Sequence, residues 1–349
     1  MPNAIKYSTT GDTQSLKKGN FYFGVGDVGK GPTSSTNYWN GITPPTGGYT
    51  IYINKASGGP SIYVATGDTQ LINYTNKFSG QNFTGATQCL NWYLTQTDYA
   101  CVNMDYEGIV TNGLIFNLDA GFVPSYTSSG TSWYDVSYGS NTGTLTNGPL
   151  YDSANKGSIS FDGIDDKITC GTNISTSNLQ VPFSVDLWVN ADTVGNTTTP
   201  RGLFSTSNPV ALNAYYGIML QLGSGNDGAG RYTVFFGTGN GVSLGTTGRQ
   251  SLTTTNKDIT GGTWCHVVGT ITTGPTFKIY VNGTERTGTI SGTGSGINWG
   301  TNTPTTIGQN NGSSLFFKGK IANVKFYNTL LSPTQVLQNF NAQKSRFGL

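Results

Sequence analysis

Gly157-Ser158-Ile159-Ser160-Phe161-Asp162-Gly163-Ile164-Asp165-Asp166-Lys167-Ile168 opens the part of the chain that decides the fold. Ser158 to Phe161 reads as a short strand, and the acidic, glycine-containing stretch after it reads as a turn. Four segments follow in the same manner. They are Pro182-Phe183-Ser184-Val185-Asp186-Leu187-Trp188-Val189, Trp264-Cys265-His266-Val267-Val268, Phe277-Lys278-Ile279-Tyr280-Val281-Asn282-Gly283 and Gly319-Lys320-Ile321-Ala322-Asn323-Val324-Lys325-Phe326-Tyr327-Asn328. In the first, Phe183, Val185, Leu187 and Val189 share one face of a strand, and Asp186 and Trp188 share the other. Phe277, Ile279 and Val281 alternate likewise and stop at Asn282-Gly283. That dipeptide suits a two-residue hairpin because both positions need positive φ. Thr284-Glu285-Arg286-Thr287 is then the returning strand. Leu114 to Leu118, Tyr232 to Phe236 and Ile321 to Tyr327 complete a set that predicts two packed antiparallel sheets.

Composition agrees. The chain has 349 residues, enough for two domains of ordinary size, and 50 of them are glycine. Only 10% are charged, against ~25% in an average globular protein; Thr, Ser and Asn stand in their place. With 17 Phe, 19 Tyr and 6 Trp the chain is too aromatic to be disordered. A net charge of +2 without a basic cluster argues against a nucleic-acid partner. No apolar run approaches ~18 residues, so no membrane span is expected. Met1-Pro2-Asn3-Ala4-Ile5-Lys6-Tyr7 lacks the apolar core of a secretion signal, which predicts synthesis in a cytoplasm and exit only as part of a particle. The cysteines Cys89, Cys101, Cys170 and Cys265 form no Cys-x-x-Cys pair. Buried free thiols are expected rather than zinc ligands or disulfides.

One helix is signalled at the C-terminus. Ser332-Pro333-Thr334-Gln335 gives an N-cap, a proline at the first helical position and a Gln placed to complete a capping box. Leu331 and Val336 are spaced for a hydrophobic staple, and Val336, Leu337 and Phe340 form an apolar face that can lie against the sandwich. The first ~110 residues are organised differently. Tyr49 to Ile53 and Ser61 to Val64 predict a hairpin around Ala56-Ser57-Gly58-Gly59-Pro60, and Ala86 to Leu94 predicts one short helix. Thr10-Gly11-Asp12-Thr13-Gln14 recurs as Thr66-Gly67-Asp68-Thr69-Gln70, which a Gly/Thr-rich chain produces by chance. These features divide the chain into residues 1–110, a small module that is mostly β with one short helix, and residues 111–349, the sandwich.

Motifs for chemistry are few. Gly24-Val25-Gly26-Asp27-Val28-Gly29-Lys30-Gly31 imitates a phosphate-binding loop for seven positions. It then places Gly31 where a metal-binding hydroxyl belongs and Pro32 where a helix should continue, so a turn is the better reading. His266 is the single histidine. It shares a strand face with Trp264 and Val268, so a structural role is expected, with no nucleophile–base arrangement around it.

Taken together in this order, the quoted segments of residues ~114–349 resemble the laminin-G-like, concanavalin A-like lectin/glucanase family. The resemblance implies an all-β, jelly-roll β-sandwich with a short C-terminal helix, preceded by a small β-rich N-terminal domain. His266 matches the family's Trp-His-Val position, displaced by the inserted Cys265. Family glucanases carry a Glu-x-Asp-x-x-Glu strand; this chain has only Glu107 and Glu285, neither in that spacing, so no enzyme is expected. Asp162, Asp165 and Asp166 sit in a turn that non-catalytic members share. A structural turn is expected and no cofactor, although oxygen-rich turns also suit Ca²⁺. Sugar sites combine aromatic faces with amides and hydroxyls, which points to Tyr215, Tyr216 and Trp299 as carbohydrate-binding candidates; core or rim positions would explain them equally.

Gly113-Leu114-Ile115-Phe116-Asn117-Leu118-Asp119-Ala120-Gly121, Ser132-Trp133-Tyr134-Asp135-Val136-Ser137, Thr144-Leu145-Thr146-Asn147-Gly148-Pro149 and the ending from Asn339 to Leu349 resemble laminin-G-like domains of tailed-bacteriophage structural proteins. Gly19-Asn20-Phe21-Tyr22-Phe23-Gly24-Val25-Gly26-Asp27 resembles modules that precede such domains in cyanophage-like proteins. These resemblances imply a virion component, as a capsid decoration or head fibre, or as part of a tail or fibre. Residues 1–110 would dock to other virion proteins, and the lectin-like domain would face host surface glycans or serve as decoration without a ligand. A homo-oligomer, a trimer by analogy with fibres, is implied as well.

Overall fold

The computed structural model describes residues 7–9, 12–14, 20–23, 49–55, 59–95, 100–105 and 109–110 of the first part of the chain. From 112 onward it describes all residues except 123–124, 136, 138–140, 173, 175–180, 194–199, 207–213, 224–229, 244, 274–275, 301–302 and 311–314. Backbone proximity divides the chain into two units, Met1–Asn112 and Gly113–Leu349.

In the first unit a four-stranded antiparallel sheet runs in the order Asn20–Phe23, Ala100–Asp105, Tyr49–Lys55, Gly59–Ala65. The expected hairpin is its edge pair. Two helices accompany it, α1 (Asp68–Ser79) and α2 (Ala86–Thr95), where one was expected. The additional helix, α1, is built from Thr, Asn, Tyr and Phe, weak helix formers. It is held by burial of Leu71 and Thr75 one turn apart, with the Thr75 hydroxyl donating to Leu71 O at 2.7 Å. The two Thr-Gly-Asp-Thr-Gln copies also part company: Asp12–Gln14 is a strand, whereas Asp68 begins α1. The phosphate-loop-like segment 24–31 lies outside the described residues.

The second unit is a sandwich of two antiparallel sheets. The eight-stranded sheet runs Leu150–Asp152, Ser158–Asp162, Lys318–Tyr327, Phe183–Ala191, Trp264–Thr272, Thr276–Val281, Thr284–Arg286, with Leu114–Asp119 also paired to Lys318–Tyr327. The nine-stranded sheet runs Gly288–Ser291, Arg249–Thr254, Val234–Asn240, Tyr216–Leu222, Arg201–Ser205, Thr306–Ile307, Lys167–Thr169, Gly143–Thr146, Ser132–Trp133. Inward-facing alternate residues of both sheets make one core. Within it Phe183 stacks on Phe326 at 5.4 Å and Phe326 on Phe204 at 6.0 Å, which bridges the two sheets. Asn282 and Gly283 take φ of 51° and 78°, the hairpin their sequence demands. The segment Tyr232 to Phe236, expected as one strand, divides at Thr233. Arg231–Tyr232 pairs with Ile259–Thr260, and Val234–Asn240 enters the large sheet.

The C-terminal helix α3 (Pro333–Gln343) starts with the expected capping box: Gln335 N–H donates to Ser332 Oγ, and Ser332 N–H donates to Gln335 Oε1. Leu331 and Val336 are both buried beside it. Its buried face differs from the expected one. Leu337 is 45% exposed, and the fully buried partners of Val336 are polar, Asn339 and Gln343. After the helix, Arg346 binds both carboxylate oxygens of Asp119 at 2.9 Å and donates to the carbonyls of Asn155 and Gly157, which fastens the chain end to the first sandwich strand.

Candidate functional site

A sandwich has two outer faces, and here they differ completely. The outer face of the eight-stranded sheet is closed by α3 and the turn after it. Trp188 is buried there, stacked on Phe347 at 4.2 Å and Phe340 at 5.8 Å. Between this sheet and the helix lies a polar network. Lys325 Nζ donates to Asp186 Oδ1 (3.1 Å), Asn323 Oδ1 (2.7 Å) and Gln343 Oε1 (3.1 Å), while Asn339 donates to Asp186 Oδ2 (2.8 Å). His266 Nε2 stands 3.0 Å from Asp186 Oδ2, an electrostatic contact without hydrogen-bond alignment. Burial opposes the charge on Asp186, but the Lys325 ammonium and His266 outweigh it and hold the carboxyl below its usual range. With every member buried, this network can bind helix to sheet but cannot meet a ligand.

The outer face of the nine-stranded sheet is covered in part by Asn310, which contacts Ser205, Met219 and Gln221, and is open beyond it. Residues directly opposite in an antiparallel pair lie on one face, so the register orders this surface in rows. Gln221, Phe235 and Thr253 form one row; Met219, Gly237, Ser251 and Ser291 form the next; Gly217, Gly239 and Arg249 form a third. Gly217 and Gly239 let the backbone of Thr206 and Tyr215 pack close, where a Cβ would meet it at 2.5 and 2.2 Å. A Cβ on Gly237 would come within 2.9 Å of the Phe235 ring, so that glycine lets the ring fold back along its strand. The result is a pocket of about 260 Å³ whose lining includes Gln221, Phe235, Arg249, Ser251, Thr253 and Ser291. It falls just below the roughly 300–1,000 Å³ usual for small-molecule sites, with the same recipe of an aromatic surface among a few polar groups. No Asp or Glu occurs in any of the nine strands.

A sequence profile for the concanavalin A-like lectin/glucanases superfamily matches residues 162–337, half of the chain. The chain belongs to this superfamily. The match begins in the acidic turn and ends inside α3, so it takes in both the open face and the clasped one. No curated protein matches the sequence. Among solved structures, the receptor-binding domain of botulinum neurotoxin type G is 14% identical, with a TM-score of 0.45 over 66% of this chain and 52% of that one. The binding domain of botulinum neurotoxin DC in complex with SialylT is 14% identical with a TM-score of 0.49, again over 66% and 52%. The chain thus spans about half the length of these neurotoxin domains. Domain 4 of AbnA, a GH43 extracellular arabinanase from Geobacillus stearothermophilus, in complex with arabinotriose, is 22% identical with a TM-score of 0.41 over 66% of this chain and 98% of that one.

Within this lectin-type sandwich the three expected sugar-contacting aromatics do not meet. Tyr215 reaches the open face, where the Arg249 guanidinium lies 4.8 Å from its ring centre. Tyr216, the next residue of an extended segment, is half-buried and directed the other way, toward Gly241 and Asn298. Trp299 is 4% exposed and packs on Phe183 at 5.9 Å, so it is a core residue with no face left for a sugar. The pocket residues Gln221, Phe235, Arg249, Ser251 and Thr253 were missed by sequence reasoning. Alternation in Arg249-Gln250-Ser251-Leu252-Thr253-Thr254 does place Arg249, Ser251 and Thr253 on one face, which is the signal that could have found them.

The remaining candidates have structural places. The ligand atoms of Asp162, Asp165 and Asp166 lie within 4.8 Å of one another. The turn's own amides engage them: Asp162 Oδ1 accepts from the N–H of Ile164, and Asp166 Oδ2 from the N–H of Asp162. Burial, with the neighbouring acids, raises the Asp166 carboxyl above its usual range. Cys89, Cys170 and Cys265 are free and buried, and burial raises each thiol away from the reactive thiolate form. Of the two glutamates, Glu285 is exposed and paired with Lys278 at 2.9 Å, and Glu107 lies outside the described residues.

Proposed function

We propose that this chain is a non-catalytic, carbohydrate-binding component of a bacteriophage particle, and that it binds host surface glycans through the open face of its nine-stranded sheet. One observation carries the binding reading. In a superfamily sandwich whose other outer face is closed by its own C-terminal helix, the second sheet presents a pocket with one aromatic ring, hydroxyls and a guanidinium. Glycosidic cleavage by the usual route needs two carboxyl groups flanking the bond. A face whose strands contain no Asp or Glu favours holding a glycan over cutting it.

The placement on a particle rests on the resemblance of residues 113–121, 132–137 and 144–149 and of the chain end to laminin-G-like domains of phage structural proteins. In this reading residues 1–110 dock to other virion proteins and the sandwich faces outward. Antibody raised against residues 114–349 tests it by immunogold electron microscopy of purified particles. Label along the head makes the protein a capsid decoration or head fibre, and label at the tail end makes it a tail or fibre adhesin. Particles without label would refute the virion placement and leave a free lectin.

A further inference from the structure

The charge on the two sheets is distributed unequally. The eight-stranded sheet carries acids and bases together, whereas the charged residues within the nine strands are Lys167, Arg201 and Arg249, all cationic. Arg201 is neutralised by Asp192, its side chain buried against that carboxylate and the Tyr232 ring. Arg249 is not: among the described residues no carboxylate pairs with it, and its guanidinium lies against the Tyr215 ring. A guanidinium backed on an aromatic face is oriented and partly desolvated while its N–H edge stays free for a planar acid group. Arg249 lines a pocket with Thr253 and Ser291, whose hydroxyls suit a sugar, and with Phe235, which suits the apolar face of a sugar ring; Gln221 and Ser251 form its buried floor, engaged with Asn310 and with Ser291 O.

From this arrangement we infer that the pocket takes an acidic sugar, a uronic acid, a sialic acid or a sulfated hexose, and that Arg249 holds its carboxylate or sulfate. The inference rests on the glycan-binding reading and sharpens it, since a neutral sugar would leave the guanidinium without a counter-charge in the bound state. A charge-assisted contact of this kind distinguishes an acid from its neutral analogue. An unpaired guanidinium also attracts such ligands from a distance, in a manner that salt weakens.

The test uses the full chain on an array of uronate-, sialate- and sulfate-bearing oligosaccharides, each beside its methyl-esterified or desulfated counterpart. The expected result is preference for the charged member of at least one pair by about tenfold or more, weakened by added salt. Arg249→Gln should erase the preference and Arg249→Lys should keep part of it, with the melting temperature of both variants close to that of the parent. Equal binding of charged and neutral members, or a preference that survives in Arg249→Gln, would overturn the inference and leave glycan binding intact. Binding to no glycan of either kind would overturn the glycan-binding reading itself, and the inference with it.

Discussion

Asp186 and Lys325 show how a polar residue can be both deep in a sandwich and necessary there. Each is fully buried, and each has its hydrogen-bonding capacity met by Asn323, Asn339 and Gln343. Removing one partner leaves the other charge buried alone, so Asp186→Asn should destabilise the sandwich by about 3–5 kcal/mol in urea unfolding. The pH dependence has a definite sign. The Asp186 carboxyl is held below its ordinary value, so its contribution is present above the unfolded pKa of about 3.9 and is lost as pH falls toward the folded value. Urea unfolding followed from neutral pH down to about pH 3 should therefore show stability falling below about pH 4. Asp186→Asn should lack that part of the fall, and an identical acid limb in both proteins would show that Asp186 is not its source. The network also explains why alternation alone misjudged α3. The buried positions Asn339 and Gln343 are polar, and their partners Asp186 and Lys325 lie on other strands, so an apolar pattern cannot mark them.

The helix α3 owes its start to local chemistry and its position to packing. Its capping box was legible because both partners lie within four residues, Ser332 and Gln335. Ser332→Ala should lower stability by roughly 1 kcal/mol, measured by thermal or urea unfolding. No change would mean that the stacking of Phe340 and Phe347 on Trp188 sets the helix start by itself. The hairpin at Asn282-Gly283 was legible for the same reason, a dipeptide that fits few other backbone shapes. What stayed hidden were features that depend on which strands become neighbours. Tyr215 and Tyr216 looked equivalent in sequence, yet adjacent extended residues point oppositely, and only Tyr215 meets Arg249. Trp299 carried no local mark of burial, because its partner Phe183 lies on a distant strand. The helix α1 was hidden by its weak formers, which only the burial of Leu71 and Thr75 makes tenable.

At the scale of the whole molecule, the two outer faces of the sandwich are built differently. One is spent on stability, closed by α3, the Trp188 stack and the Arg346–Asp119 lock at the chain end. The other, only partly covered by Asn310, carries the pocket of Phe235, Arg249, Thr253 and Ser291 that the proposal assigns to a glycan. The most direct test of that assignment is hydrogen–deuterium exchange on the full chain, with and without a saturating glycan chosen from the array. The expected result is ligand-induced protection confined to Tyr216–Leu222, Val234–Asn240, Arg249–Thr254 and the loops joining them. Protection over α3 and Trp264–Thr272, over residues 1–110, or nowhere in the chain would contradict it.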